Sequence, residues 1–325
     1  IWQVLPVGPT GYGNSPYQSF SSFAGNPYFI DPDMLCEDDI LKKDDLPGTV
    51  PEGEKIDYGK IYFSRRKMLR SAYEYSGNRL KSETEEFLLA HPAVGDYAFF
   101  MALKDRFKGK CYLDFPKCLV RREKSAMEKY RALLSDEINY YVFEQYLFFS
   151  QWKRMREYVN SIGIEILGDM PIYVAPDSAD VWANPRSFQL DRDRRPSFVA
   201  GVPPDYFSED GQKWGNPLYD WKYMKNHGYD FFVRRAKAAS ELFDSVRLDH
   251  FIGFANYYSV APDAPDAKNG FWRDGPGKSL FSTLEKEVPS LGLVAEDLGI
   301  VSEKVIKLLK STGYPSMRVI QFAFG

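Results

Sequence analysis

The chain has 325 residues, a formal net charge of −3 and an aromatic share of 16%. That length fits a single (β/α) barrel with a large core, and a near-neutral charge with no long run of one sign argues against nucleic acid or an anionic membrane surface as partner. No apolar stretch approaches the roughly 20 residues of a membrane-spanning helix; Cys36, Cys111 and Cys118 have neither the count nor the spacing of a disulfide framework or a zinc site, which favours a reducing compartment.

In chain order, residues 1–7 read as a short apolar strand that breaks into a loop rich in Gly and Pro, carrying Ser15, Tyr17 and Gln18. The chain opens at Ile1 inside that strand, so a preceding segment is expected. Residues 57–161 have mainly helical periodicity. The clearest helix starts at Ser135 or Asp136, sets Ile138, Tyr141, Val142, Phe148, Trp152 and Met155 on one side, and stops at Gly163. A strand follows at 164–171 (IEILGDMP), then an irregular excursion rich in Pro, Gly, Asp and Trp at about 174–226, then a helix around 229–242. VRLDH (246–250) and GLVAED (292–297) are two further buried strands, the second followed by a helix from Ser302 to Gly313 and a last strand at 317–324.

Strands alternating with helices imply a parallel sheet, and the natural closure is a (β/α)8 TIM barrel with helical and irregular insertions. The runner-up, a doubly wound open sheet, is discounted because Gly8, Gly11 and Gly13 lie in a loop with no helix start behind them. The expected divisions are 1–35 (barrel strand and active-site loop), 36–135 (helical insertion) and 136–325 (continuing barrel core).

Catalytic groups of such barrels sit at the C-terminal ends of strands, where Asp169, Asp249 and Glu296 fall. Alternation along VRLDH puts Arg247 and Asp249 on one face and Val246 and Leu248 on the other. The guanidinium is expected to hold Asp249 ionised, ready to attack, unless the pair is only a structural ion pair. The charge of Asp249 is in turn expected to keep a proton on Glu296, giving the two-carboxylate division of labour of a glycoside-cleaving site. Asp297 points to the opposite face and reads as structural.

The stretches WQVLPVGPTGYGNSPYQSFSSFAGNPY, GDMPIYVAPDSADVWANP, GVPPDYFSEDGQKWGNPLYDW, VRLDHFIGF and VAEDLG run from one end of the chain to the other. Together they resemble the 4-α-glucanotransferases called amylomaltase or disproportionating enzyme, of the α-amylase clan. The resemblance implies transfer of a segment of an α-1,4-glucan (maltooligosaccharide, starch or glycogen) to the 4-hydroxyl of another glucan, by a retaining double displacement without metal or organic cofactor. By it, Asp249 matches the nucleophile, Arg247 the residue supporting it and Glu296 the acid/base. His250 matches a ligand of the sugar at the cleavage point, and Asp169 and Tyr17 line the donor glucose. Gln212 and Trp214 match a loop across the cleft, which Tyr206 would help to roof; Ser15 and Phe322 are further contacts. The family also carries a third catalytic carboxylate in a His-Asp pair on a later strand. The first and last two barrel strands are expected to lie outside residues 1–325, and that stretch by itself is expected to lack activity. The alternatives are an α-amylase-type hydrolase using the same carboxylates and a non-catalytic glucan-binding protein. The implied location is the cytoplasm, or a plastid in a plant.

Overall fold

The computed structural model describes residues 1–46, 55–206, 208–299 and 301–321. It divides into two compact units, one made of Ile1–Pro6 with Arg156–Gly325, the other of Val7–Met155.

In the first unit the strands are, in chain order, β1 (Trp2–Gln3), β2 (Ile166–Met170), β3 (Val199–Val202), β4 (Gln212–Pro217), β5 (Ser245–Leu248), β6 (Asn256–Val260), β7 (Phe271–Asp274) and β8 (Gly292–Ala295). They form two sheets, a parallel one in the order β1-β2-β5-β8 and an antiparallel one in the order β4-β3-β6-β7. Successive strands of the parallel sheet lie side by side, the winding of a (β/α) barrel. One face of β5 is fully buried: Val246 and Leu248 are 0% exposed. Asp244 anchors the entry to the sheet. One of its oxygens accepts the Ile166 backbone N–H (2.7 Å), and the other accepts from Arg156 Nη2 (2.7 Å). At the far edge of β8 the Ala295 N–H donates to Pro315 O (2.8 Å) and Ala295 makes one parallel bridge to Ser316. Of the strand expected at 317–324, residues 317–321 carry no strand pairing, and 322–324 lie outside the described residues.

The antiparallel sheet corrects the reading of 174–226 as irregular, since β3 and β4 pair there and continue onto β6 and β7. Val199, Tyr258, Val260 and Ala267 make its small core. Its strands are short and interrupted by Gly201, Gly215 and Pro217, which hides them from a search for period-two alternation.

The second unit is helical, with Tyr58–Ser76, Lys81–Ala90, Pro92–Arg106 and Lys124–Leu133 as its main helices, together with the first part of Ser135–Ser161. The boundaries expected at 35 and 135 differ from this division, and two glutamines show why. The Gln145 side-chain amide accepts from the Gly25 N–H (2.6 Å) and donates to the Gly25 carbonyl (2.9 Å). Gln151 does the same with Asp31 (2.7 and 3.0 Å). Each satisfies both backbone groups of a loop residue, so the first loop folds with the helices. The Ser135–Ser161 helix ends as expected, with Gly163 at φ 79°.

Candidate active site

Asp249 and Glu296 each stand one residue beyond a parallel strand, one step past the paired residues Leu248 and Ala295. The backbone ladder continues past the strand ends and fixes them. The Asp249 N–H donates to Met170 O (3.1 Å), the Glu296 N–H to Leu248 O (3.1 Å), and the Phe251 N–H to Glu296 O (2.9 Å). Two carboxylates therefore leave neighbouring strands at the same level on a rigid scaffold, the arrangement a site on strand ends provides.

Arg247 organises the acidic groups. It pairs in register with Asp169 on β2. Its Nε donates to Asp169 Oδ1 (3.1 Å) and its Nη2 to Asp169 Oδ2 (2.8 Å), while Nη2 also donates to Asp249 Oδ1 (2.7 Å). One cation thus serves two carboxylates. The Asp249 carboxyl is raised from 3.8 to about 6: removal from water pushes it up most, Arg247 pulls it down, and the negative charges of Asp169 and Glu296 push it up. The net lowering expected from Arg247 is corrected here, because desolvation and two like charges outweigh one shared guanidinium.

Both oxygens of Glu296, a residue 8% exposed, accept backbone N–H groups: Oε2 from His250 (2.8 Å) and Oε1 from Leu298 (2.9 Å). Each oxygen keeps a second lone pair on which a proton can sit. The His250 amide comes from the residue after Asp249, so the two carboxylates are tied through a single peptide unit. His250 itself adopts a left-handed conformation, φ 52°, sparse for a non-glycine residue. Burial pulls its imidazole down from 6.5 to about 4, leaving it neutral near pH 7. The Trp214 ring meets it edge to face, centroids 4.9 Å apart, and Trp214 lies 6.3 Å from Tyr173. Gln212 Oε1 accepts from Trp214 Nε1 (3.1 Å), so these two residues of β4 act as a pair.

Asp169, Gln212, Trp214, Arg247, Asp249, His250 and Glu296 thus belong to one unit. Tyr206, in the loop before β4, is 96% exposed. Ser15 and Tyr17 belong to the other unit, where Ser15 Oγ accepts the Tyr17 N–H (3.3 Å) and shapes the first loop. Phe322 lies outside the described residues. Asp297 is buried and accepts from Arg318 Nη1 (3.4 Å).

Sequence reasoning missed the fastening of the loop after β2. Arg235, 2% exposed, donates to Pro171 O (2.6 Å), Ile172 O (3.1 Å) and the Tyr219 hydroxyl (3.1 Å). Tyr219 donates to Ile172 O (2.7 Å), and Asn216 Nδ2 to Val174 O (2.8 Å). A signal existed: Arg235 falls on the apolar stripe of Phe231, Phe232, Ala236 and Ala239, where a charged residue needs a reason. Gly253 was missed too; a Cβ there would stand 2.8 Å from Ile172 Cδ1 and 3.0 Å from His250 Cδ2.

A family model described as 4-alpha-glucanotransferase matches residues 1–325. The chain belongs to the 4-alpha-glucanotransferase family. The 4-alpha-glucanotransferase of Clostridium butyricum is 44% identical over 328 residues, covering 100% of this chain and 67% of the relative. That of Thermus thermophilus is also 44% identical, covering 99% of this chain and 65% of the relative. An amylomaltase from Streptococcus agalactiae, solved with acarbose, superposes with a TM-score of 0.95 at 40% identity, over 99% of this chain and 66% of that one. The chain therefore spans about two thirds of the length of these relatives. Among the described residues no helix is long and apolar enough to cross a membrane.

Proposed function

We propose that the whole protein is a retaining 4-α-glucanotransferase acting on α-1,4-glucans. The observation that carries this reading is the pair Asp249 and Glu296 on adjacent strand ends, one bound by Arg247 and the other held at both oxygens by backbone amides. Asp249 attacks the anomeric carbon while Glu296 gives a proton to the departing glycosidic oxygen, forming a covalent glycosyl-enzyme. Glu296, now ionised, takes the proton from the 4-hydroxyl of an incoming glucan, which attacks and regenerates both groups with retention. A nucleophile whose ordinary acidity is weakened by burial is ionised at neutral pH yet more basic than a solvated aspartate.

Neutral His250 offers hydrogen bonds to the sugar without adding a positive charge beside Asp249. Trp214, braced by Gln212 and Tyr173, supplies an aromatic face that binds pyranose rings and limits water. From the resemblance, Tyr17, Ser15 and Phe322 add donor and acceptor contacts, and Asp169 lines the donor glucose. The cysteine count supports a reducing compartment, the cytoplasm or a plastid.

Incubating the whole protein with maltotriose tests the reading. A ladder of longer maltooligosaccharides with free glucose and a constant number of reducing ends is expected. Growth in reducing ends would instead mean hydrolysis. Binding of maltooligosaccharide with no product would mean a non-catalytic protein.

A further inference from the structure

The helical unit holds a recess of about 570 Å³, lined from the first loop and from the Tyr58–Ser76, Pro92–Arg106 and Ser135–Ser161 helices, that shares no residue with the acidic cluster. Its inner wall is polar where a core would be apolar. Tyr97 and Tyr140 are 1% exposed and Glu144 4%, and the Tyr140 hydroxyl donates to Glu144 Oε2 (3.2 Å). Glu144 Oε1 and the Tyr97 hydroxyl have no hydrogen-bond partner among the described residues, yet neither is among the side-chain atoms sealed from solvent, so both open into the recess. Burial, then the nearby Glu144, Tyr140, Asp105 and Tyr28, push the Tyr97 hydroxyl well above its ordinary value, which places the phenols and the carboxyl together. Removal from water raises the Glu144 carboxyl from 4.5 to about 7, against the pull of Tyr140 and Arg66, so near neutral pH it both gives and accepts hydrogen bonds. Polar groups this deep are ordinarily paired, and only an occupant of the recess can pair these.

Charge narrows the class of occupant. Two arginines of the Tyr58–Ser76 helix line the recess. Arg66 is answered by Asp105, which takes its Nη2 and also the Tyr141 hydroxyl (2.7 Å). Arg65 gives Nη1 to the Ile30 carbonyl (3.0 Å) and pairs with no carboxylate among the described residues; Asp31 acts on it only through space. Its remaining N–H groups form an open fork suited to phosphate. The convergent hydroxyls and carboxyl match the vicinal hydroxyls of a polyol, and the rings of Phe20, Tyr28 and Tyr97 offer apolar surface to its C–H groups. We propose that the recess binds a phosphorylated monosaccharide, Arg65 holding the phosphate while Tyr97 and Glu144 take ring hydroxyls. A neutral glucan would leave the Arg65 charge unanswered, and an anion without hydroxyls would leave Tyr97 and Glu144 unpaired. The volume accommodates one sugar unit and its phosphate.

Titration calorimetry of the whole protein with glucose 1-phosphate and with glucose 6-phosphate tests this, glucose and maltotriose being titrated in parallel. At least one phosphosugar is expected to bind saturably. Arg65→Gln is expected to weaken it about tenfold or more and Tyr97→Phe about fivefold, with the melting transition, maltotriose transfer and the binding of glucose and maltotriose unchanged in both. No binding of either phosphosugar would overturn the proposal. Equal phosphosugar affinity in the parent and both variants would overturn it too, by placing the ligand elsewhere, and so would glucose or maltotriose binding that suffers the same loss, by making the recess a site for neutral sugar. Should Arg65→Gln not fold, Tyr97→Phe decides alone, since it deletes a hydroxyl with no protein partner: weakened phosphosugar binding supports the site and unchanged binding opposes it.

Discussion

Replacing Asp249 with asparagine removes a charge that the fold holds at a cost. The carboxyl is pushed from 3.8 to about 6, and at about 1.4 kcal/mol per pH unit this corresponds to roughly 3 kcal/mol against the ionised form in the native state. The side chain is 28% exposed, so solvent screening reduces the recoverable part to about 1–2 kcal/mol. The sign follows from linkage. A carboxyl with a raised native value binds its proton more tightly when folded, so its favourable contribution is complete below about pH 4. It is lost as pH rises through about 6, and above that the wild type carries the full cost. Asp249→Asn keeps the shape and an acceptor for Arg247 Nη2 but carries no charge. Its stability relative to wild type is therefore near zero at pH 4 and rises by about 1–2 kcal/mol by pH 7.5, while transfer falls by more than about 10⁴-fold. Denaturant melts of both proteins from pH 4 to 8, paired with maltotriose assays, measure this. A destabilised Asp249→Asn at pH 7.5, or a stability difference independent of pH, would refute the electrostatic reasoning.

Three further outcomes are expected. The wild-type kcat/KM falls as pH drops through about 6, because Asp249 must be ionised to attack, and His250→Asn leaves that limb in place because neutral His250 protonates only near pH 4; a limb abolished in His250→Asn would reassign it. Trp214→Ala removes the ring that meets His250 at 4.9 Å and raises KM for maltotriose about tenfold, equivalent to ~1.4 kcal/mol, with kcat falling less; an unaltered KM would exclude Trp214 from binding. Gly253→Ala places a methyl group 2.8 Å from Ile172 Cδ1 and 3.0 Å from His250 Cδ2, costing about 1–3 kcal/mol of stability by overpacking; an unchanged melting transition would show that the loop yields freely.

The parallel strands were legible because each of β2, β5 and β8 carries buried apolar residues, such as Ile166, Val246, Leu248 and Ala295, and because a carboxylate at the end of such a run breaks the pattern at Asp169, Asp249 and Glu296. The side of the strand was legible too, since alternation alone places Arg247 with Asp249. The balance of forces on Asp249 was not. It depends on Asp169 sharing Arg247 and on the depth of burial, and both arise from strands separated by 78 residues. The antiparallel sheet was hidden for another reason. Four-residue strands such as β3 and β7 are too short for periodicity to outweigh the glycines and prolines around them. The boundary of the helical unit escaped because it is set by Gln145 and Gln151 reaching loop backbone 120 residues away.

If Asp249 carries the glycosyl group and Glu296 drives its transfer, the covalent intermediate can be trapped. In Glu296→Gln, α-maltotriosyl fluoride supplies a leaving group that needs no proton, while the acceptor has no base. Intact mass is expected to rise by one maltotriosyl unit, with the labelled peptide carrying it on Asp249. Absence of any adduct, or a label on Asp169 or another residue, would contradict it.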